Sequence, residues 1–227
     1  MSFSADDHRY MARALQLAER GLYTTDPNPR VGCVLVKDHH IVGEGWHERA
    51  GEAHAEVHAL KAAGKSAQGS TAYVTLEPCC HHGRTPPCSE ALIKAGVTRV
   101  VVAMRDPHSQ VDGGGIRQLQ EAGIAVQSGL LEQPARQLNP GFIRRMQTGR
   151  PWVRLKLAMS LDGRTAMASG ESQWITGAAA RQDVQRWRAR SSAILTGVGT
   201  VLADDPSMTV RLGDTGRQPL RVIIDTN

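Results

Sequence analysis

A histidine, a glutamate and two cysteines carry the clearest chemical signal in this sequence. One alanine separates His54 from Glu56, Cys79 follows Pro78, and Cys88 comes nine residues after Cys79. One imidazole and two thiolates suit a tetrahedral Zn²⁺, and three protein ligands leave the fourth position open for water. A catalytic zinc of this kind lowers the pKa of its bound water towards neutrality. Glu56 is close enough in sequence to move that proton, so the spacing predicts a hydrolytic zinc site.

Two further residues could compete for the metal. His58 follows His54 by four residues, which allows a two-histidine site, and Cys80 is adjacent to Cys79. In the two-histidine protease pattern the glutamate directly follows the first histidine, whereas here it comes two residues later. We therefore expect His58 to lie on a helix face and Cys80 to point away from its neighbour. Cys33 lies in an apolar run and is expected to be a packed core residue.

Hydrophobic periodicity predicts the elements that must position these side chains. The first 130 residues follow the order α-β-β-α-β-α-β-α-β, which favours a three-layer α/β domain with a mixed sheet. The predicted segments are a helix over 6–20, strands over 31–37 and 41–46, a helix over 54–63, a strand over 71–76, a helix over 89–95, a strand over 98–104, a helix over 116–122 and a strand over 124–127. Residues two apart on a regular helix point about 200° apart. His54 and Glu56 can therefore share a site only if they lie in an irregular first turn.

A second set of elements follows a segment, 131–150, that we interpret as a broken helix and a linker. Strands are predicted over 152–159, 193–196 and 220–225, and helices over 177–189 and 198–203. Gly197 to Thr200 joins a predicted strand to a helix start, which offers backbone N–H groups to a phosphate. This run lacks the third glycine and the distal acidic residue of the dinucleotide fingerprint. We predict two domains, residues 1–149 and residues 150–227.

The composition excludes membrane, collagen-like and disulfide-scaffold classes. The chain has 27 Lys+Arg against 22 Asp+Glu, a net charge of +5, and 41% hydrophobic residues. Its apolar runs are too short to span a bilayer, and its first residues show no secretory signal. The charge surplus is spread out and fits a small phosphorylated partner as well as a nucleic-acid backbone. Aromatic residues make up only 4%, which is poor material for base stacking, and we expect a small phosphorylated partner, no nucleic acid and no membrane. Clustered cysteines indicate metal binding in the cytoplasm rather than disulfides, and homo-oligomer formation is left open.

Longer strings resemble one family closely. H-x-E followed by P-C and a second cysteine is the signature of zinc-dependent nucleobase deaminases, in which two residues usually separate the thiols. Here eight residues intervene, and the string Thr75 to Cys88, TLEPCCHHGRTPPC, resembles the bifunctional deaminase/reductase family of riboflavin biosynthesis. Runs over 26–32, 54–59, 156–164 and 169–176 match the same family in order and spacing. The resemblance departs at Cys80, where many members have serine, and at the C-terminus, where the family continues further.

The resemblance implies a fold and an activity for each half of the chain. The first domain would have a cytidine-deaminase-like fold and would deaminate 2,5-diamino-6-ribosylamino-4(3H)-pyrimidinone 5′-phosphate with zinc. The second would be the N-terminal part of a dihydrofolate-reductase-like domain. That domain would use NADPH to reduce the ribosyl group to a ribityl chain.

The family's functional residues carry over onto positions of this sequence. The zinc ligands and the catalytic residue would be His54, Cys79, Cys88 and Glu56. The NADPH contacts would be Ala158, Trp174, Thr200 and Asp204, and the reductase substrate contacts would be Ser172, Arg188, Met208 and Arg211. Arg188 and Arg211 suit a phosphate ester, because a guanidinium fork matches phosphate oxygens. Two structural interpretations stay open, namely Trp174 as a core residue and Asp204 as part of a helix stop.

Three more residues are expected to contact substrate in the first domain. Asn28 lies between two prolines, and a comparable asparagine in deaminases contacts the base or the sugar. His81 and Arg84 lie in the loop between the thiol ligands, and such a loop overhangs the metal.

Two other functions remain as alternatives. One is a deaminase acting on cytidine or on tRNA adenosine, against which the long His-His-Gly-Arg loop and the second domain both argue. The other is a non-enzymatic binding module that zinc stabilises, in which Glu56 would have no chemical role.

Overall fold

The structure, a computed structural model, describes residues 2–81, 86–108, 111–213 and 215–225. The chain forms two compact units, which divide between Trp152 and Val153. Over the described residues the first unit contains a five-stranded sheet and the second a two-stranded sheet. Within those same residues, no helix combines the length and the apolar character that a bilayer span requires.

The helices and strands of the first unit follow the predicted order. They are α1 (Ala5–Glu19), β1 (Gly32–Lys37), β2 (His40–Trp46), α2 (Ala55–Ala63), β3 (Thr71–Val74), α3 (Cys88–Lys94), β4 (Arg99–Val102), α4 (Gly114–Glu121), β5 (Ala125–Ser128), α5 (Glu132–Leu138) and α6 (Pro140–Thr148), with a 3₁₀ turn (Gly64–Ala67) after α2. The strand order is β2-β1-β3-β4-β5. β1 is antiparallel to β2 and β3, whereas β3, β4 and β5 run parallel. The prediction of a mixed sheet in an α/β domain is confirmed.

Alternation along the strands supplies two separate cores. Val34 and Val36 of β1 pack with residues of α1, whereas Cys33 and Leu35 pack with residues of α2. All four are buried. Because successive strand residues point to opposite faces, helices cover both sides of the sheet. This confirms the three-layer architecture and the prediction that Cys33 is a core residue.

One buried carboxylate joins α1 to the centre of the sheet. Asp7 forms a capping box with Ser4, in which each side chain accepts from the other residue's backbone N–H. Asp7 Oδ1 also accepts from the Tyr73 hydroxyl and from Arg99 Nη1, both at 2.8 Å. Arg99 Nε donates in turn to Gln127 at 3.1 Å. Four elements, α1, β3, β4 and β5, are therefore tied together through one charged group.

Glycines at the start of α4 allow this helix to lie directly against the segment that follows β3. A Cβ on Gly115 would overlap the carbonyl oxygen of Pro78, and a Cβ on Gly114 would lie 2.7 Å from Cys80 Sγ. Any larger residue at position 115 must push the helix away from the 78–80 segment. Close packing thus explains Gly114 and Gly115, whereas Gly113 has open space around it and a left-handed φ of 79° that favours glycine.

Residues 131–150 form two helices that belong to the first unit. The predicted break is confirmed at Asn139, which lies between α5 and α6. The Asn139 amide accepts from the Arg30 backbone N–H at 2.8 Å and donates to the Arg30 carbonyl at 2.9 Å. Ile143 of α6 packs in the same core as α1. Only the few residues after α6 are left as the predicted linker.

The second unit contains α7 (Ala178–Ala189), β6 (Ala193–Gly197), α8 (Val198–Asp204) and β7 (Leu220–Ile224). β6 and β7 pair in parallel with each other. The prediction of a strand over 152–159 is wrong for this structure, where those residues form neither helix nor strand. Apolar and charged residues alternate here, but the apolar Val153 and Leu155 are 79% and 81% exposed. An alternating segment becomes a strand only where a neighbouring strand pairs with its backbone, and the described β6–β7 sheet does not include it.

We expect Asp7→Asn to lower the free energy of unfolding by about 2 kcal/mol at pH 7, because it removes charge-assisted hydrogen bonds. Arg99 holds the pKa of the Asp7 carboxyl well below its ordinary value of 3.8. Its contribution is therefore fully present above about pH 5 and is lost progressively as the pH falls below about 4. Urea denaturation followed by circular dichroism should show that the difference in free energy of unfolding between wild type and variant is smaller at pH 3 than at pH 7. A gap that is the same at both pH values would contradict this assignment.

We expect Gly115→Ala to lower the free energy of unfolding by about 1–3 kcal/mol, the usual cost of overpacking. Gly141→Ala is the matched control, since it also places alanine in a helix but meets only Trp152 Cβ at 3.9 Å. The control should leave stability unchanged or raise it by up to about 1 kcal/mol through helix propensity. The same urea measurement compares the two, and equal effects would refute the packing explanation.

Candidate active site

Three predicted ligands converge at one point of the first unit. One ligand atom from each of His54, Cys79 and Cys88 lies within 4.8 Å of the others. His54 Nδ1 is 3.2 Å from Cys88 Sγ and 3.6 Å from Cys79 Sγ. Among the described residues, no other group of three histidine, cysteine or carboxylate side chains is close enough to hold a metal ion. Neither Cys80 nor His58 belongs to the cluster, in line with the expectation for both.

Two ligands stand at the starts of helices, and the third lies in the segment that follows β3. His54 is the N-cap of α2, Cys79 follows β3, and Cys88 is the first residue of α3. The Cys88 backbone N–H donates to Cys79 Sγ at 3.3 Å. Element ends suit such a site because their backbone groups have no partner within the element and are free to meet a ligand.

Backbone geometry at His54 explains how it shares a site with Glu56. His54 has extended dihedral angles, φ −76° and ψ 164°, whereas Glu56 lies in the first turn of α2. Because His54 lies outside the regular helix, the two side chains need not point about 200° apart, and the condition set by the sequence is met. Both border the same cavity, in which the Glu56 side chain is 3% exposed.

Burial and neighbouring groups set the protonation of this cluster. Burial, together with the charge of the nearby Cys79, raises the pKa of Glu56 to about 7. The Cys88 thiol, with help from His54, stabilises the Cys79 thiolate and lowers the pKa of Cys79. A hydrogen bond with Cys79 raises the pKa of His54. Glu56 can thus take up or release a proton near neutral pH.

A cavity of about 230 Å³ opens beside the ligands. Besides Glu56 and two of the ligands, it is lined by Asn28, His47, Glu77, His81, Asp106, His108 and Phe142. The predicted substrate contacts Asn28 and His81 are therefore at the cavity. Arg84, predicted with them, lies outside the described residues.

His47 belongs to the site although the sequence did not single it out. Its Nε2 is 3.1 Å from Asn28 Nδ2, and its Nδ1 is 3.1 Å from the carbonyl oxygen of Ala53. Its ring meets that of His54 edge to face at 5.6 Å. Burial lowers the pKa of His47. These contacts fix the Asn28 amide at the cavity.

Asp106 and His108 were also missed by sequence reasoning. The Asp106 carboxylate accepts from the His108 backbone N–H at 2.8 Å, and burial raises the pKa of Asp106 to about 6. Both residues lie just beyond β4, as His47 lies just beyond β2. Polar residues directly after the carboxyl end of a parallel strand are a signal that could have found Asp106, because α/β sheets bind ligands at that edge.

The predicted residues of the second unit form a looser set. Arg188 Nη1 donates to the Thr209 carbonyl at 3.1 Å, and Arg211 Nη1 donates to Ser207 Oγ at 2.8 Å. Burial, together with the charge of Arg211, lowers the pKa of Arg188. Met208, which lies between Ser207 and Thr209 in the sequence, is buried. Arg188, Met208 and Arg211 are thus linked through the 207–211 segment.

The predicted NADPH contacts are not gathered into one site by the described contacts. Thr200 and Asp204 both lie on α8 and are exposed. Trp174 is 69% exposed and lies under the Arg181 guanidinium, at 4.4 Å from the ring centre. The interpretation of Trp174 as a core residue is therefore wrong for this structure. Ala158 and Ser172 lie in irregular segments.

Comparison with known families divides the chain in the same way as its structure. Residues 4–104 match the family described as the cytidine and deoxycytidylate deaminase zinc-binding region. Residues 151–227 match the RibD C-terminal domain.

Three relatives illustrate the extent of the similarity. The riboflavin biosynthesis protein RibD of Escherichia coli is 62% identical over 97% of this chain and 63% of its own length. A structure of Acinetobacter baumannii RibD is 60% identical, with a TM-score of 0.93, over 96% of this chain and 63% of that one. A Thermotoga maritima structure named as a diaminohydroxyphosphoribosylaminopyrimidine deaminase and 5-amino-6-(5-phosphoribosylamino)uracil reductase is 44% identical, with a TM-score of 0.91, over 97% and 63% of the two chains.

The similarity therefore runs through both units, while the chain spans about 63% of the length of these relatives. Fold, ligand cluster and sequence agree: residues 4–104 carry a deaminase-type zinc-binding region, residues 151–227 match the RibD C-terminal domain, and nearly the whole chain is similar to RibD proteins.

Proposed function

We propose that residues 1–149 form a domain that hydrolytically deaminates 2,5-diamino-6-ribosylamino-4(3H)-pyrimidinone 5′-phosphate. The observation that carries this proposal is the convergence of His54, Cys79 and Cys88 at a cavity that also contains the buried Glu56. The names of the relatives support the substrate class, since the Thermotoga maritima protein is named for a phosphoribosylaminopyrimidine.

The donor set fits zinc. One imidazole nitrogen and two thiol sulfurs, all within 4.8 Å of one another, match the ligand types and number of a catalytic zinc site with an open position. When bound, zinc would supply a water molecule activated at neutral pH. Cys79 and Cys88 would bind as thiolates. The contacts of Cys79 Sγ with His54 and with the Cys88 N–H already favour the thiolate form of Cys79.

Glu56 is the group that moves protons in this proposal. In hydrolytic deamination, water adds to the ring carbon, the carbon–nitrogen bond breaks, and ammonia leaves. Glu56 would accept a proton from the attacking water and deliver it to the departing amine. Its pKa of about 7 suits both steps, because a group that titrates near the working pH exchanges protons in either direction.

Asn28, His81 and Arg84 would orient the substrate. Asn28 is held at the cavity by His47, and His81 lies in the loop that leads away from the ligand Cys79. An amide and an imidazole can each donate to the ring carbonyl or accept from an amine.

We further propose that residues 150–227 contribute to an NADPH-dependent reductase that reduces the ribosyl group of the deaminated product. Ala158, Trp174, Thr200 and Asp204 would contact NADPH, and Ser172, Arg188, Met208 and Arg211 would contact the substrate. The neighbouring charges of Arg188 and Arg211 support this, because two close guanidinium groups favour binding of a phosphate.

We expect Glu56→Gln to lower the rate of ammonia release by about 10²–10⁴-fold, the usual contribution of a general acid–base. The variant should retain one zinc per chain, because Glu56 is not among the ligands. Ammonia release from the aminopyrimidine phosphate and metal content after gel filtration measure the two properties. Unchanged ammonia release would refute the role of Glu56, whereas no ammonia release from the zinc-loaded wild type would favour a zinc-stabilised binding module.

Two matched controls sharpen that experiment. Glu52→Gln changes a half-exposed carboxylate that pairs with Arg49, and it should leave activity unchanged. Cys79→Ser should lose zinc, whereas Cys80→Ser should keep it. Cytidine and tRNA are assayed in parallel, and turnover of either without turnover of the aminopyrimidine phosphate would overturn the substrate assignment.

We expect Thr200→Val to weaken NADPH binding about fivefold, the effect of one lost hydrogen bond of about 1 kcal/mol. Isothermal titration calorimetry of the whole chain measures the affinity. Thr148→Val is the control, since it alters an exposed threonine at the end of α6. Absence of saturable NADPH binding by the wild type, or equal weakening in both variants, would contradict the cofactor proposal.

A further inference from the structure

Glu77 is a buried carboxylate to which neither the ligand cluster nor the proton transfer assigns a role. We propose that Glu77 is a positioning residue, whose carboxylate holds the cavity wall carrying Asp106 and His108 against the segment after β3 that carries Cys79. This inference rests on the proposed deaminase function, because its kinetic consequence is defined for that reaction.

Three backbone N–H groups donate to the Glu77 carboxylate. Oε2 accepts from Asp106 at 3.2 Å and from Gly113 at 3.1 Å, and Oε1 accepts from Ile116 at 3.1 Å. The backbone N–H of Glu77 itself donates to the Met104 carbonyl at 3.0 Å. Glu77 is only 3% exposed. One side chain therefore joins the residues just after β4 to the first turn of α4.

The segment that Glu77 holds forms one wall of the cavity. Asp106, His108 and Val111 line the cavity, as His54 and Glu56 do. The Asp106 carboxylate accepts from the backbone N–H of His108. A displacement of the Asp106 backbone would therefore move both polar side chains relative to the bound substrate.

α4 and the segment that carries Cys79 cannot easily follow a displacement of the Asp106 backbone. Gly115 of α4 lies directly against the Pro78 carbonyl oxygen. The Ser89 hydroxyl, at the start of α3, donates to the Cys79 carbonyl and also contacts Gln118 of α4. The helix and the ligand-bearing segment are thus fixed to each other, and the Asp106 end is the part that would move when the carboxylate is altered.

A glutamate is required here for two reasons. A carboxylate only accepts hydrogen bonds, whereas the amide of glutamine would direct its own N–H₂ group at one of the N–H donors. Aspartate is one methylene shorter and cannot reach both Asp106 and Ile116. The start of α4 adds a favourable helix dipole for a negative charge.

The test compares wild type, Glu77→Gln and Glu77→Asp for ammonia release, metal content and amide hydrogen exchange. In the Gln variant we expect KM for the aminopyrimidine phosphate to rise about tenfold, with kcat within about threefold and zinc retained. The amides of Asp106, Gly113 and Ile116 should exchange at least about tenfold faster, because the glutamine NH₂ replaces one acceptor oxygen and the remaining amide oxygen is an uncharged, weaker acceptor. Glu77→Asp keeps the charge, should show the same changes, and replaces the Gln variant if that does not fold.

Asp7→Asn is the matched control for lost stability. It also removes the charge of a buried carboxylate, but Asp7 contacts Tyr73 and Arg99 rather than the cavity. We expect it to leave KM, zinc content and the three amides unchanged. Faster exchange with unchanged KM in both Glu77 variants, or an equal rise of KM in Asp7→Asn, would show a merely structural role and overturn the proposal. If wild-type protein with zinc releases no ammonia, the proposed function fails, and unchanged exchange at the three amides would then overturn the positioning role separately.

Discussion

Three ligand atoms from three separate elements must lie within 4.8 Å of one another, and the packing of helices on the sheet decides whether they do. α2 lies so close to β2 that a Cβ on Gly45 would overlap the Ala55 carbonyl oxygen. That contact sets where α2 begins, and therefore where its N-cap His54 stands. α4 is equally close to the segment that carries Cys79. Backbone contacts made possible by glycine thus determine the distances between ligands on different elements.

Three buried carboxylates show how surroundings assign different roles to one chemical group. Asp7 is paired with Arg99, and its charge contributes to stability. Glu77 is surrounded by backbone N–H donors and is bound as a fixed acceptor. Glu56 has no arginine partner; it accepts from its own backbone N–H and from the Cys88 thiol, yet burial and the charge of Cys79 outweigh these contacts and raise its pKa to about 7. A carboxyl that its partners compensate only in part is costly for stability, but it is the one that can exchange protons during a reaction.

Sequence reasoning succeeded where the evidence is local. The residue types and spacing of His54, Cys79 and Cys88 predict the ligand set, and alternation along β1 predicts the layers on both faces of the sheet. Glu77, His47 and the Arg30–Asn139 contact were missed because they depend on which distant segments the sheet brings together. Glu77 accepts from residues 29 to 39 positions away. No periodicity within a short window contains that information.

The strand predicted over 152–159 failed for the converse reason. Its alternation is as clear as that of β1, yet Val34 and Leu35 are fully buried between neighbouring elements while Leu155 and Leu157 are exposed. A pattern indicates which face could be buried, and burial itself requires a partner. This difference also separates the two proposals physically. All the described residues that line the proposed deaminase cavity lie between Asn28 and Phe142, within a unit whose apolar strand faces are covered, so packing holds its polar groups in place. The reductase residues lie where apolar side chains are still exposed, and their proposed roles depend on binding measurements rather than on packing.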